Sequence, residues 1–167
     1  MNADQDIAMD FKSAMRRMAT TVCIITCAGK LGGHGMTATA VTSVCADPSA
    51  LLVCVNSNAA FYQAMIHADK FCVNLLDSSQ AELSRAFSGQ LQGHERFTVG
   101  QWKTRCDDLP YLVDAQANLF CLKDEVIRYG THSIFIGRVQ EVHNAPNISP
   151  LLYQDGHYAH AQYLSAA

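Results

Sequence analysis

The run Gly35-Met36-Thr37-Ala38-Thr39-Ala40-Val41-Thr42-Ser43-Val44, closed by Asp47-Pro48, constrains this chain more than any other segment. Its alternation is that of a strand. Thr37, Thr39, Val41 and Ser43 fall on one face, and Met36, Ala38, Ala40, Thr42 and Val44 on the other. A core strand would carry Ile, Leu or Phe. Side chains this small leave room for a flat ligand to lie against the backbone and meet N–H groups and hydroxyls. A half-buried strand with a Thr-rich solvent face fits the same pattern.

The rest of the chain reads as short strands joined by turns. Asp10 is placed to cap a helix whose stripe is Phe11, Ala14, Met15 and Met18. Residues 22–26 form a β-branched run, and the glycines of 29–33 return the chain into the small-residue strand. Residues 51–55 are apolar on both faces and therefore buried. Asn58 is placed to cap a helix carrying Phe61, Ala64 and Met65. Residues 71–76 form the next strand, and Ser79-Gln80-Ala81-Glu82 has capping-box spacing for a helix ending at Gly89. Residues 90–108 show no period and read as a long loop, a lid or an interface arm. Strands over 118–129 and 132–142 meet at Gly130-Thr131, and a short strand or turn lies in 151–158. Without regular βαβ alternation the fold class is mainly β with short helices, an antiparallel barrel.

At 167 residues the chain suits one domain, 1–167, with its core in about 11–158. Apolar residues make up 49% and charged residues 16%, which excludes disorder, and a net charge of −3 with no basic block argues against nucleic acid. So low a charged fraction points to surface covered by another subunit. The N-terminus lacks a signal-peptide pattern, and no apolar run is long enough for a membrane span, so a cytoplasmic location is expected. Seven cysteines, an odd number without a C-x-x-C pair, read as reduced buried residues, with Cys23, Cys45, Cys54, Cys72 and Cys121 inside apolar runs. No metal site is expected, and His157 and His160 read as surface or interface residues.

Nucleotide-loop, nucleophile-elbow and zinc-helix motifs are missing from the sequence. The inventory suits chemistry supplied by a bound cofactor that the protein positions.

The run 35–44 with Asp47-Pro48, then Leu52-Val53-Cys54-Val55-Asn56, Phe71-Cys72-Val73-Asn74-Leu75-Leu76 and Gly130-Thr131-His132, in this order and spacing, resembles the short-chain flavin reductases. These are the reductase partners of two-component flavin monooxygenases, and the similarity is greatest to the 4-hydroxyphenylacetate 3-monooxygenase group. The resemblance implies an FMN-binding split barrel, a homodimer, reduction of FMN or FAD by NADH or NADPH, and delivery of reduced flavin to a separate oxygenase component.

It also implies site residues. Thr37, Ala38, Thr39, Ala40, Val41, Ser43 and Val44 match the strand lining the isoalloxazine. Val55, Asn56, Ser57 and the helix start at Asn58 match the ribityl and phosphate region, although Asn58 also reads as a plain helix cap. Arg85, with Ser84 and Phe87 on the third helix, matches a basic phosphate contact or else a solvated helix face. Arg96 is a weaker candidate of the same kind. His132 matches the histidine beside the nicotinamide, and Thr131 replaces the Asp that many relatives carry before it. Tyr158 is placed near the nicotinamide. A flavin carrier or redox sensor of the same fold, without turnover, is the alternative reading.

Overall fold

A computed structural model describes residues 3–29 and 32–164. Its elements are α1 (Ala3–Met15), β1 (Thr20–Thr21), β2 (Cys23–Cys27), β3 (His34–Ala38), β4 (Val41–Ala46), β5 (Ser49–Asn56), α2 (Tyr62–His67), β6 (Lys70–Leu75), α3 (Ala81–Arg85), β7 (Trp102–Thr104), β8 (Pro110–Leu112), β9 (Ala117–Tyr129), β10 (His132–Asn144), β11 (Leu151–Gln154) and β12 (His157–His160). The fold is mainly β, with antiparallel ladders and short helices.

Seven strands form one sheet in the order β3-β2-β6-β9-β10-β5-β4. Its two edges, β3 and β4, are consecutive in the chain and are separated only by Thr39-Ala40. Laid flat, such a sheet would hold its edges about 29 Å apart, at about 4.8 Å per strand. The step from Ala38 to Val41 reaches at most about 11 Å. The sheet must therefore curl until its edges approach, although β3 and β4 share no ladder among the described residues. The single strand expected over 35–44 is thus two strands. Ala38 still pairs with Cys23 of β2, whereas Val41 pairs with Val53 of β5, and Ala40 O accepts from Cys54 N at 3.0 Å. The chain changes partners at Thr39-Ala40.

One core fills the concave side: Cys23, Ile25, Val53, Phe71, Val73 and Phe135, closed by Phe61 and Met65 at α2. Lys123 Nζ fixes the C-terminal turn of α2 by donating to Met65 O at 3.2 Å and Ile66 O at 2.6 Å. A second core covers the opposite face of β2, where Val22, Ile24, Leu76, Leu83, Phe87 and Leu112 pack together. Both faces of β2 are buried, which suits its mostly apolar sequence, and its one polar residue, Thr26, donates its hydroxyl to Pro110 O at 2.6 Å. Asn74 ties the cores together. Its Oδ1 accepts from Leu112 N and Asn118 Nδ2, both at 2.9 Å, and its Nδ2 donates to Ile24 O at 2.8 Å.

The segment 90–108 is not a free arm. It holds a 3₁₀ turn (Gly93–Thr98) and β7, which pairs with β8. Phe97 and Trp102 pack on Phe87, with ring centroids 5.2 and 5.1 Å away. Arg96 donates to Gly35 O at 2.7 Å and Leu91 O at 2.9 Å, so its guanidinium serves the backbone. A Cβ at Gly35 would lie 2.7 Å from the Phe87 ring, so only glycine lets β3 pass this close.

Helix starts also differ from the sequence reading. α1 begins before Asp10, which lies in its interior. α2 begins at Tyr62 after Phe61, and Asn58 instead donates its N–H to Asn56 Oδ1 at 2.9 Å in a turn. Ser79 does not cap α3: its N–H and hydroxyl both donate to Asp77 Oδ1, and Gln80 Oε1 accepts from Asp77 N. The hairpin β9–β10 lies where it was expected, with Gly130 at φ 55° in its turn. The C-terminal hairpin β11–β12 and β1 form a separate three-stranded sheet.

All seven cysteines are free. Cys23, Cys27, Cys72 and Cys121 are buried, while Cys45, expected in the interior, is exposed on the edge strand β4. Burial pushes the Cys23, Cys27 and Cys121 thiols up to about 12, which keeps them protonated and inert. Among the described residues no helix is long and apolar enough to cross a membrane.

Candidate functional site

Two polar clusters flank the linker between the sheet edges. The first is built on α3. Ser84 is fully buried, yet both its polar groups are engaged. Its carbonyl accepts from Thr37 Oγ1 at 2.7 Å, and its hydroxyl accepts from Tyr158 OH at 2.9 Å. One buried serine thus joins β3, α3 and β12. The next residue, Arg85, is exposed, and its guanidinium carbon lies 5.1 Å from the centre of the Tyr158 ring. No carboxylate pairs with Arg85 among the described residues.

The second cluster lies where β5 ends beside the β9–β10 turn. His132 is the register partner of Asn56 on β5 and of Tyr129 on β9. Ser57 donates its N–H and its hydroxyl to Thr131 O, at 2.9 and 3.0 Å, and Thr131 Oγ1 lies 2.9 Å from His132 Nδ1. That contact occupies one ring nitrogen and leaves Nε2 outward. Asn56, Ser57, Asn58, Thr131 and His132 therefore form a single exposed patch.

Thr39 and Ala40 connect the clusters. Thr39 opens onto a cleft of about 260 Å³ lined by Met15, Met18, Thr20, Tyr153 and Gly156. The N–H groups of Thr39 and Ala40 donate no hydrogen bond among the described residues. Arg16 and Asp155 pair across the rim of this cleft at 2.7 Å, which holds the Asp155 carboxyl below its ordinary range. Small side chains, two unused N–H donors, hydroxyls on either hand and one cation without a carboxylate fit a flat, polar-edged, anionic ligand such as a flavin nucleotide.

Not every residue expected at the site is placed there. Val55 is buried at 0% exposure and Phe87 at 2%, so both are core side chains without a free surface. Ala38 is buried as well. Ser43 and Val44 lie on β4, beyond the linker from Thr37 on β3. With Val41, Ser43 lines a separate apolar cavity of about 410 Å³ beside Leu51, Val73, Leu119 and Val142. The residue missed as an anchor is Ser84. Its one signal is position, a small polar residue on the apolar side of a short helix, between Leu83 and the exposed Arg85.

Comparison with known proteins identifies the class to which this curled antiparallel sheet belongs. The chain belongs to the flavin reductase like domain family, whose model matches residues 15–162. It is 39% identical over 161 residues to the reductase component of the FADH(2)-dependent resorcinol hydroxylase of Rhizobium sp. strain MTP-10005, covering 95% of this chain and 90% of that one. It is 37% identical over 150 residues to the FMN reductase (NADH) RutF of Pseudomonas syringae pv. syringae, covering 90% and 84% of the two chains. The NADH:FAD oxidoreductase SgcE6 of Streptomyces globisporus, solved in complex with NAD and FAD fragments, superposes with a TM-score of 0.85 at 25% identity, covering 96% of this chain and 94% of that one.

Proposed function

We propose that this chain is an NAD(P)H-dependent flavin reductase that transfers hydride from NADH or NADPH to FMN or FAD and supplies reduced flavin to a separate oxygenase component. The observation that carries this reading is the Thr39-Ala40 linker, with unused N–H groups, between the Arg85 and His132 clusters. The names of the Rhizobium and Pseudomonas relatives support it from outside the structure. The curled sheet is read as a split barrel, forming one flavin reductase-like domain over 1–167 with its core in about 11–158.

When bound, the flavin supplies a two-electron acceptor at N5. The protein supplies position, an effect worth roughly 7–11 kcal/mol for two well-oriented rings. The N–H groups of Thr39 and Ala40 and the Thr39 hydroxyl hold the polar edge of the isoalloxazine, where donors stabilise developing negative charge. Ala40, exposed in the linker, keeps the ring close to the backbone. Asn56, Ser57 and Arg85 hold the ribityl chain and phosphate, with Arg85 giving the charge. His132, oriented by Thr131, presents Nε2 to the nicotinamide carboxamide and holds that ring against the flavin.

A homodimer is the assembled form in this reading. Along α1, Ile7 (67% exposed), Phe11 (63%) and Met15 present an apolar stripe, continued by Met18 just past the helix, and the 410 Å³ cavity under β4 is also apolar. A second copy would cover both. Seven free thiols suit a reducing compartment, and we place the protein in the cytoplasm.

Oxidation of NADH and NADPH with and without added FMN and FAD tests the function. Turnover that requires added flavin supports it. Flavin binding with no pyridine-nucleotide oxidation would move the chain to a carrier or redox sensor.

A further inference from the structure

We infer that Tyr158 is a positioning residue which acts through Arg85 to set the preference for phosphorylated over unphosphorylated flavin. The inference rests on the proposal that Arg85 meets the flavin phosphate.

Three contacts fix the Tyr158 ring. Its hydroxyl donates to the buried Ser84 Oγ at 2.9 Å, the Tyr153 ring meets it edge-on at 5.5 Å, and its body packs on the second core. The Arg85 guanidinium rests over this fixed ring at 5.1 Å. Arg85 has no carboxylate partner among the described residues, so the aromatic face is what restrains its head. The same serine that holds Tyr158 accepts from Thr37 on β3, two residues before the linker. Ring, guanidinium and linker are therefore set in one frame by a single buried residue, whose hydroxyl holds Tyr158 and whose carbonyl holds Thr37.

The chemistry follows from what an aromatic face does for an arginine. A carboxylate would neutralise the guanidinium and compete with an anionic ligand. A ring limits its rotamers, leaves the charge intact and leaves the N–H fork free for phosphate oxygens. Without the ring, Arg85 is an exposed side chain that must be ordered at the moment of binding, and that cost falls only on ligands carrying a phosphate. Riboflavin, which has the same ring system and no phosphate, would not sense the loss.

Dissociation constants for FMN and riboflavin, taken from flavin fluorescence, separate this role from simple structural support. Arg85→Ala is expected to remove most of the preference for FMN over riboflavin. Tyr158→Leu or Tyr158→Met, which refill the packing volume, should lower the preference about fivefold with riboflavin affinity retained. Tyr158→Phe should keep the preference within about twofold of wild type, because the aromatic face remains. Combining Arg85→Ala with Tyr158→Leu should cost no more preference than Arg85→Ala, since the two act in series.

Wild-type preference in both the Leu and Met variants, beside a loss in Arg85→Ala, would overturn the positioning role and leave the phosphate contact standing. Equal weakening of FMN and riboflavin would show that Tyr158 merely supports the fold. A Phe variant as poor as Leu would also overturn the proposal. Unchanged preference in Arg85→Ala would remove the phosphate contact itself and the proposal with it.

Discussion

His132 owes its orientation to its own neighbours. Thr131 Oγ1 lies 2.9 Å from Nδ1, and Ser57 holds the Thr131 carbonyl with two hydrogen bonds. His132→Ala should lower kcat by about tenfold or more, the value of one positioned hydrogen bond, with the flavin dissociation constant nearly unchanged. Rapid-mixing kinetics and a flavin titration check both halves. At this scale the sequence was partly legible. The small residues of the linker and the Gly130-Thr131-His132 turn announce themselves by type and spacing. Phe87 and Val55 do not, because an apolar residue beside a site can face the ligand or the core, and here each is enclosed by neighbours distant in sequence. Ser84 shows the converse, since a serine carries no mark of the partners that will bury it.

The elements are held by polar residues that periodicity ignores. Asn74 gives β6 a link to β2, β8 and β9 with every strong hydrogen-bonding group used. Asn74→Ala would take from Leu112 N–H, Ile24 O and the Asn118 amide, which keeps Leu112 O, their Asn74 partner in a buried site, and chemical denaturation should show a loss of about 3 kcal/mol. The turn into α3 depends on Asp77, whose carboxylate accepts the Ser79 N–H and hydroxyl and is held below the ordinary carboxylate range by them. A carboxyl depressed in the folded state contributes stability that is present above its unfolded pKa, about 4, and is lost as pH falls through the folded value. Asp77→Asn should therefore narrow the gap between urea midpoints at neutral pH and at about pH 3, below the unfolded value, where wild type has begun to lose this contribution. Strand positions were legible because alternation and β-branching survive burial, as the β9–β10 hairpin shows. The break at Thr39-Ala40 was not, since its cause is the change of partner from β2 to β5, a long-range event. The helix starts were misread for a related reason: Asn58 and Ser79 spend their groups on turns instead of caps. The segment 90–108 lacked a period because its pieces are too short to have one.

At the scale of the molecule, curling one sheet does two things. It encloses a core without large helices, and it brings β3 and β4 to the same place, so the linker between them is framed by residues as far apart as Asn56, Arg85, His132 and Tyr158. The apolar side chains Ile7, Phe11 and Met15 of α1 are exposed in the single chain, and the proposed homodimer would cover them. Sedimentation should find a dimer, and Phe11→Asp with Met15→Asp should shift it toward monomer without unfolding the sheet, because both side chains are exposed in the single chain. The central claim is that this chain lets a pyridine nucleotide reduce a flavin directly, and mixing the purified protein and FMN or FAD with NADH or NADPH in the absence of oxygen tests it. Rapid loss of the oxidised flavin's visible absorbance, with one equivalent of pyridine nucleotide consumed and no other protein present, is the predicted result. Oxidised flavin that persists in the presence of folded, flavin-bound protein and both nucleotides would contradict it.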